Sequence, residues 1–351
     1  TIYNERTGTI NIIDGTIKCE SASSYNTINN ESTGTINIGE KGEPVSNKNP
    51  LIVSKNGYGI VQNTNVAGKI SFYDGIVKGK INAKKGDVNE YEEGYDLIIE
   101  QGSGEDAGYE IMYLAQLPLV QVGDDETNIY NTLEEGIAAC PEGEQTTIKL
   151  LRKASFMSSA TSKEIPSNKD IIFDLNGKEI ENGLNNAFIN DGKFEIKNGT
   201  IKGTNQVVVL NRGEKFRFED VTLTIEVEGI GVVNEGEGTV ELKNNTMSNT
   251  RATQPIIQNK NVGTIKLEEN NIKFYCGSLP ILGAIENNVG GIIEYINGTI
   301  VNSGNAQYLR ISAGIRNIGE GTVNVTGGTI TNIDSDGSRH EGTYGVSNEG
   351  T

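Results

Sequence analysis

The tightest constraint on this chain is a phrase that it repeats: an apolar residue, any residue, then Asn. The phrase occurs at Ile2-Tyr3-Asn4, Ile28-Asn29-Asn30, Val61-Gln62-Asn63, Phe188-Ile189-Asn190, Val209-Leu210-Asn211, Val232-Val233-Asn234, Ile257-Gln258-Asn259, Ile285-Glu286-Asn287, Ile315-Arg316-Asn317 and Val346-Ser347-Asn348. After most of these comes a short turn, then a string such as "GTINI", "GTVEL", "GTIKL", "GIIEY" or "GTVNV". A second turn follows, with a closing pair such as Thr16-Ile17, Thr200-Ile201, Thr299-Ile300 or Thr329-Ile330. Within each phrase the apolar residues alternate, the period of a strand with one buried face.

From Asn190 to Asn348 the Asn-to-Asn separations are 21, 23, 25, 28, 30 and 31 residues. Helical and leucine-rich repeats hold their length because each helix docks on the next, whereas a parallel β-helix accepts longer loops at one corner. The drifting period predicts an all-β, right-handed parallel β-helix with three short strands per coil and insertions at one turn. Stacking places equivalent residues about 4.8 Å apart, so identical side chains form ladders. Asn190, Asn211, Asn234, Asn259, Asn287, Asn317 and Asn348 are expected to form a structural ladder, each amide donating and accepting along the stack and satisfying turn backbone.

Composition agrees: 44 glycines, no tryptophan and many Asn, Thr and Ile describe short β-branched strands broken by turns. The formal net charge of −17 argues against nucleic acid or an anionic membrane as partner, since phosphate binding needs Lys/Arg-rich patches. Cys19, Cys140 and Cys276 lie far apart in no metal-ligand spacing and are read as small buried hydrophobes. No apolar run is long enough to span a bilayer.

Between Asn63 and Asn190 the phrase disappears. "YDLIIEQ" from Tyr95 and "YEIMYLA" from Tyr109, joined by "GSGEDAG", read as a β-hairpin. "NTLEEGIAAC" reads as a helix with a capping box at Thr132 and Glu135 and an apolar face of Ile129, Leu133, Ile137 and Cys140. "TTIKLL" from Thr146 and "DIIFDLNGKEI" from Asp170 resume strand patterning, with Asn176-Gly177 as a turn. An amphipathic helix laid over a first coil removes its open edge. The expected organisation is two stacked or tandem modules: residues 1–80 are the last coils of one β-helix, 81–145 are a hairpin-plus-helix connector and cap, and 146–351 are a second β-helix.

The run "VQVGDDETNIYNTLEEGIAACPEGEQTTIKLLRKA", followed by "DLNGKEI" and by coils of the "GTVNVTGGTI" type, resembles the opening of parallel β-helix domains in large secreted surface proteins of anaerobic Gram-positive bacteria. The resemblance covers most of the chain. It implies an extracellular, bacterial cell-surface location and an adhesin-like class, and assigns no ligand.

β-Helices also include pectinases and polysaccharide lyases, which need carboxylates, a base and a stabilising cation converging on one site. The only histidine, His340, lies in "SRHEG", Arg310-Ile311-Ser312 lacks a following lysine, Asp124-Asp125 belongs to a turn, and basic residues are scattered one per coil. A non-enzymatic adhesin or stalk with a glycan or protein ligand is therefore expected, with a polysaccharide-degrading enzyme and a filament or surface-layer subunit as the alternatives. One metal site is also expected: "NIDSDGS" matches the first half of a calcium loop, with Asn332, Asp334 and Asp336 as ligands and Glu341 standing in for the distal carboxylate. The coil is entered partway at Thr1 and left partway at Gly350-Thr351, so further coils, a signal peptide and an anchor are expected in the intact polypeptide, with neighbouring modules or self-association covering the open ends.

Overall fold

The computed structural model describes residues 2–63, 65–80, 83, 85–156, 162–183, 186–203, 207–226, 229–249, 254–276, 282–304, 312–334 and 344–349. It divides into two compact units, Thr1–Leu117 and Pro118–Thr351. Each is a parallel β-solenoid. A coil consists of a first strand ending at the repeated Asn, a second strand beginning at the "GT" string, and a third strand carrying the closing pair.

In the first unit three coils stack. The first strands Ile2–Asn4, Ile28–Asn30 and Ile60–Gln62 form one parallel sheet. Thr9–Ile12, Thr35–Ile38 and Lys69–Phe72 form the second, and Thr16–Cys19, Leu51–Ser54 and Ile76–Gly79 the third. Inward positions, among them Ile28, Ile36, Ile38, Ile52, Ile70 and Phe72, pack into one dry core. The expected hairpin is present as Tyr95–Gln101 and Glu110–Gln116. It extends the third sheet in antiparallel sense, Met112 lying opposite Val77, and buries Leu97, Met112 and Leu114 in that core.

One expectation needs correction here. The third copy of the phrase is not Val61-Gln62-Asn63: Ile28 pairs with Ile60 and Asn30 with Gln62, so the phrase is Ile60-Val61-Gln62. Gln62 carries an amide like Asn, one methylene longer, and takes the ladder position. Asn63 lies in the following turn, where its Nδ2 donates to Glu31 Oε2 at 2.6 Å.

The second unit opens on Val120–Val122, which pairs antiparallel with Gln145–Leu150 and with Ile129–Tyr130. The helix spans Leu133–Ala139, with its capping box formed as expected: Glu135 N donates to Thr132 Oγ1 at 3.2 Å, and Thr132 N to Glu135 Oε2 at 3.1 Å. Leu133, Ile137 and Cys140 join the core with Val120, Val122 and Ile148. Ile129 does not: it sits on the short strand before the helix and is 45 % exposed. The block 81–145, read as one connector, is thus divided, its hairpin closing the first unit and its helix opening the second.

Two lysines of the first coil clasp this helix. Lys163, buried on an inward position, reaches out to the Glu134 carboxylate in the first turn, and Lys169 Nζ donates to the Cys140 carbonyl at the other end. A carboxylate near a helix N-terminus and a cation near its C-terminus are the placements the backbone dipole favours.

Above the cap, eight first strands from Lys163–Ile165 to Tyr344–Asn348 stack in one parallel sheet. Second and third strands share a larger sheet, continuous through Lys193–Gly203 and Lys215–Ile225. The core is a set of columns: Phe194, Phe216, Val240, Ile265 and Ile293 stack in register, beside Ile196, Phe218, Leu242, Leu267 and Tyr295. The lower columns are aromatic, with Phe188, Phe194, Phe216 and Phe218 in successive ring contacts of 5.5, 5.9 and 4.8 Å between centroids. Cys19 and Cys140 are free and buried, as expected of small apolar groups.

Candidate functional site: the outer face of the first-strand sheet

The ladder fixes where every other feature falls. Asn190 Nδ2 donates to Asn211 Oδ1 at 2.7 Å, Asn211 to Asn234 at 2.8 Å and Asn234 to Asn259 at 3.0 Å. Asn259 then donates to Asn287 at 3.0 Å, Asn287 to Asn317 at 2.8 Å and Asn317 to Asn348 at 2.8 Å. The first unit repeats the arrangement from Asn4 to Asn30 at 3.0 Å and from Asn30 to Gln62 Oε1 at 2.8 Å. Every donor points toward the following coil, so the ladder has a direction.

The second amide hydrogen turns onto the corner backbone, as from Asn259 to Gly263 O at 2.8 Å and from Asn287 to Gly291 O at 2.9 Å. This accounts for the glycine of the "GT" string. A Cβ on Gly291 would stand 2.1 Å from Asn259 Nδ2, and one on Gly321 the same distance from Asn287 Nδ2. The amide of one coil thus excludes a side chain from the corner of the next.

The opposite corner, between second and third strands, is turned by single left-handed residues: Asn198, Asp220, Asn244 and Glu269 have φ of 57°, 57°, 52° and 58°. Beside them runs a short second ladder that sequence reading missed. Asn245 Nδ2 donates to Asn270 Oδ1 at 2.9 Å, and Asn270 Nδ2 to Leu242 O at 2.6 Å. Its two members replace Val221 and Gly199 in the coils below, so no shared identity marked it.

The third corner, from third strand to the next first strand, carries the variable lengths. Third strands end at Asn182, Gly203, Ile225, Asn249, Cys276, Gly304 and Asp334, and the following first strands begin at Phe188, Val207, Ile230, Ile257, Leu282, Ser312 and Tyr344. The intervening segments are 5, 3, 4, 7, 5, 7 and 9 residues long by subtraction of those bounds. Segments of changing length feeding one face of a regular scaffold are where binding function concentrates.

That face is the outer side of the first-strand sheet. Its central row, in register, is Ile189, Leu210, Val233, Gln258, Glu286, Arg316 and Ser347. These side chains point away from the core, yet Val233 is 0 % and Glu286 4 % exposed. Ile189, Val207, Leu210, Ile230 and Val233 form an apolar cluster at the lower end. The upper end is ionic: Glu286 Oε1 accepts from Gly283 N at 3.2 Å and Arg316 Nη1 at 3.3 Å. Arg316 also forks onto Glu349, Nε to Oε1 and Nη2 to Oε2, both 2.7 Å. Hydrogen bonding to Glu349 holds the Arg316 guanidinium above its ordinary pKa and, reciprocally, holds the Glu349 carboxyl below its own.

The outer face of the second strands is different. Register aligns Glu195, Arg217, Glu241, Lys266 and Glu294 in one row and Lys149, Asp174, Lys197, Glu219, Lys243 and Glu268 in the next, alternating in sign along both. Lysines that sequence reading found scattered singly are here set between carboxylates, as in Lys215–Glu241 at 2.9 Å and Lys266–Glu294 at 3.6 Å. Along these two rows charge is internally neutralised, so neither is a cationic track for a polyanion.

Of the residues considered for metal binding, Asn332 and Asp334 fall in the extended strand Thr329–Asp334, Asn332 stacked in register on Asn302. Asp336 and Glu341 lie outside the described residues, as do His340 and Arg310. Among the described residues no cluster of three His, Cys, Asp or Glu side chains is placed to hold a metal ion. Asp125 accepts from Thr127 N at 2.9 Å and from Thr127 Oγ1 at 2.7 Å, bonds that lower its pKa and make it a turn residue ahead of the helix. No helix among the described residues is long and apolar enough to cross a membrane. No protein-family model matches the chain, and no curated protein is significantly similar to it.

Proposed function

We propose that the chain is a non-enzymatic scaffold of a bacterial cell surface, an adhesin or stalk whose stacked coils present a binding face for a glycan or a protein. One observation carries this reading: the segment lengths that differ most from coil to coil meet at the corner flanking the outer face of the first-strand sheet, while the Asn ladder holds the corner on its far side nearly constant. A rigid frame with one diversified edge suits recognition, in which the frame limits the entropy lost on binding and the edge supplies specificity. Along the row the support changes from apolar at Leu210 and Val233 to ionic at Glu286 and Arg316, and because Leu210, Val233 and Glu286 are buried, recognition rests on the variable segments and not on the row itself. Calcium held by Asn332, Asp334, Asp336 and Glu341 belongs to the same reading, as a brace for the longest of the variable segments.

The test is an array of host glycans and matrix proteins probed with the intact chain, followed by replacement of the segments 250–256 and 305–311 with short Gly/Ser linkers. Binding that is lost with those segments and kept in a Lys266→Gln variant on the charged face supports the proposal. Cleavage of a polysaccharide by the wild-type chain would sink it in favour of an enzyme.

A further inference from the structure

We propose that a notch beside the first amide of the second unit's ladder is a binding site for one neutral sugar ring. The corner between first and second strands has four residues after Ile165, two after Asn190 and three after Asn211, by subtraction of the strand bounds. It has four after each of Asn234, Asn259, Asn287 and Asn317. The strands on either side nevertheless keep their register, Ile165 with Asn190 and Asn211 before the corner, Asp170 with Lys193 and Lys215 after it. The two-residue corner, Asp191-Gly192, must therefore cut inside its neighbours. It leaves a notch of about 270 Å³, lined from the coil above by Glu214 and from the coil below by Ser167 and Asn168.

The ladder explains the short corner. In the coil below, Ile165 stands in register with Asn190, so Asn190 Oδ1 has no amide beneath it to accept from. Gly192 N donates to it instead at 3.1 Å, which draws the chain into a tight turn. Only glycine fits there: a Cβ on Gly192 would stand 2.4 Å from Pro166 O and 2.6 Å from Lys169 O. The floor of the notch is thus backbone held by the ladder, and the side chains that matter stand at its rim.

Their chemistry selects the ligand. Among the described residues no apolar or aromatic side chain lines the notch. Lys193 Nζ is paired with Glu214 Oε1 at 3.2 Å, Lys169 Nζ donates to the Cys140 carbonyl, and Asp170 Oδ1 accepts from Gln145 Nε2 at 3.3 Å. The side chains of Asp191, Ser167 and Asn168 carry no hydrogen bond or ion pair among the described residues. A carboxylate, a hydroxyl and an amide around one small space offer acceptors and donors together. A sugar matches that set, because each of its hydroxyls both donates and accepts and two on neighbouring carbons can share one carboxylate. An apolar ligand finds no wall to lie against. An anion meets three carboxylates while both ammonium groups are engaged, and a simple cation answers Asp191 but leaves Ser167 and Asn168 idle. The variable segments take no part in this site.

Amide chemical shifts of the intact, isotope-labelled chain, titrated with the methyl glycosides of glucose, galactose, mannose and N-acetylglucosamine, read this directly. At least one glycoside is expected to shift the amides of Ser167, Asn168, Asp191 and Gly192, with a dissociation constant on the order of 1 mM for so open a site. Asp191→Ala, with unchanged circular dichroism, should weaken that binding by at least about tenfold, and Glu237→Ala on a four-residue corner should leave it as it was. A panel that moves none of these amides, or binding that survives Asp191→Ala, overturns the inference. So does methylammonium shifting the same amides when no glycoside does, which would make the notch a cation site. Glycoside shifts confined to the variable segments would overturn it as well, while leaving the proposed function standing.

Discussion

Asn259 shows what a single residue does in this architecture. Its side chain is wholly buried, accepts from Asn234, and donates both to Asn287 and to a corner carbonyl. Asn259→Leu keeps the volume and strands those three partners, so unfolding in urea should show a loss of about 1–3 kcal/mol for each polar group left unsatisfied. Gly291→Ala should be as harmful without touching any hydrogen-bonding group, because its methyl would occupy the space of the Asn259 amide. Cys140 is expected to resist alkylation in the folded chain, since burial raises its pKa and withholds the thiolate that reacts. Labelling that proceeds at the rate of a free thiol would contradict its place in the core. At this scale the ladder was legible because one residue type recurs at one position. It failed at Gln62, where a different residue supplies the same amide, and at the left-handed corner, where Asn, Asp and Glu serve the same conformation.

Elements were legible wherever a local rule was strong. The capping box announced the helix, and alternating apolar positions announced both arms of the hairpin. What no local rule shows is how the helix is held, since Glu134 and Lys163 lie 29 residues apart. Lys163 is buried beside the Phe156 ring, 4.9 Å from its centroid, while Glu134 is half exposed. Removing the two partners should therefore be unequal. Glu134→Gln takes a carboxylate away from a buried ammonium, whereas Lys163→Met removes the charge and keeps the apolar stem. Thermal melts should find Glu134→Gln the less stable variant, by about 1 kcal/mol or more, and the reverse order would show that the clasp is not what retains the helix. The Glu349 fork makes a pH prediction. Its carboxyl pKa is lowered in the folded state, so its contribution is present above the ordinary carboxylate range and is lost as pH falls through the lowered value. Glu349→Gln should flatten the acid limb of protection at Tyr344–Asn348 in hydrogen exchange and leave the neutral limb lower.

In the whole molecule the two units have separate hydrophobic cores and, among the described residues, share no sheet. Solenoid contacts are nearest-neighbour, so damage should stay local. Residue-resolved hydrogen exchange is expected to register Asn30→Leu within residues 1–117 and Asn259→Leu within 118–351, each fading beyond adjoining coils; protection lost equally in both units would contradict this. The solenoid itself was legible from the repeat, yet the outer face of the first-strand sheet was not. Ile, Leu, Val, Gln, Glu, Arg and Ser follow one another along its row, and only the register reveals that they are neighbours. The alternating charges were hidden for the same reason, because a drifting period scatters them along the chain.

The fit between each ladder amide and the glycine one coil later has a consequence for descent. Because the corners after Asn234, Asn259, Asn287 and Asn317 share one spacing from Asn to Gly, those coils behave like interchangeable links, and a gene that loses the stretch encoding residues 235–259 still reads Asn, three corner residues, Gly, Thr across the seam. Unequal crossing-over can therefore lengthen or shorten the array in whole turns without any neighbour having to adapt, so that reach becomes a quantity lineages tune by copy number and not by substitution.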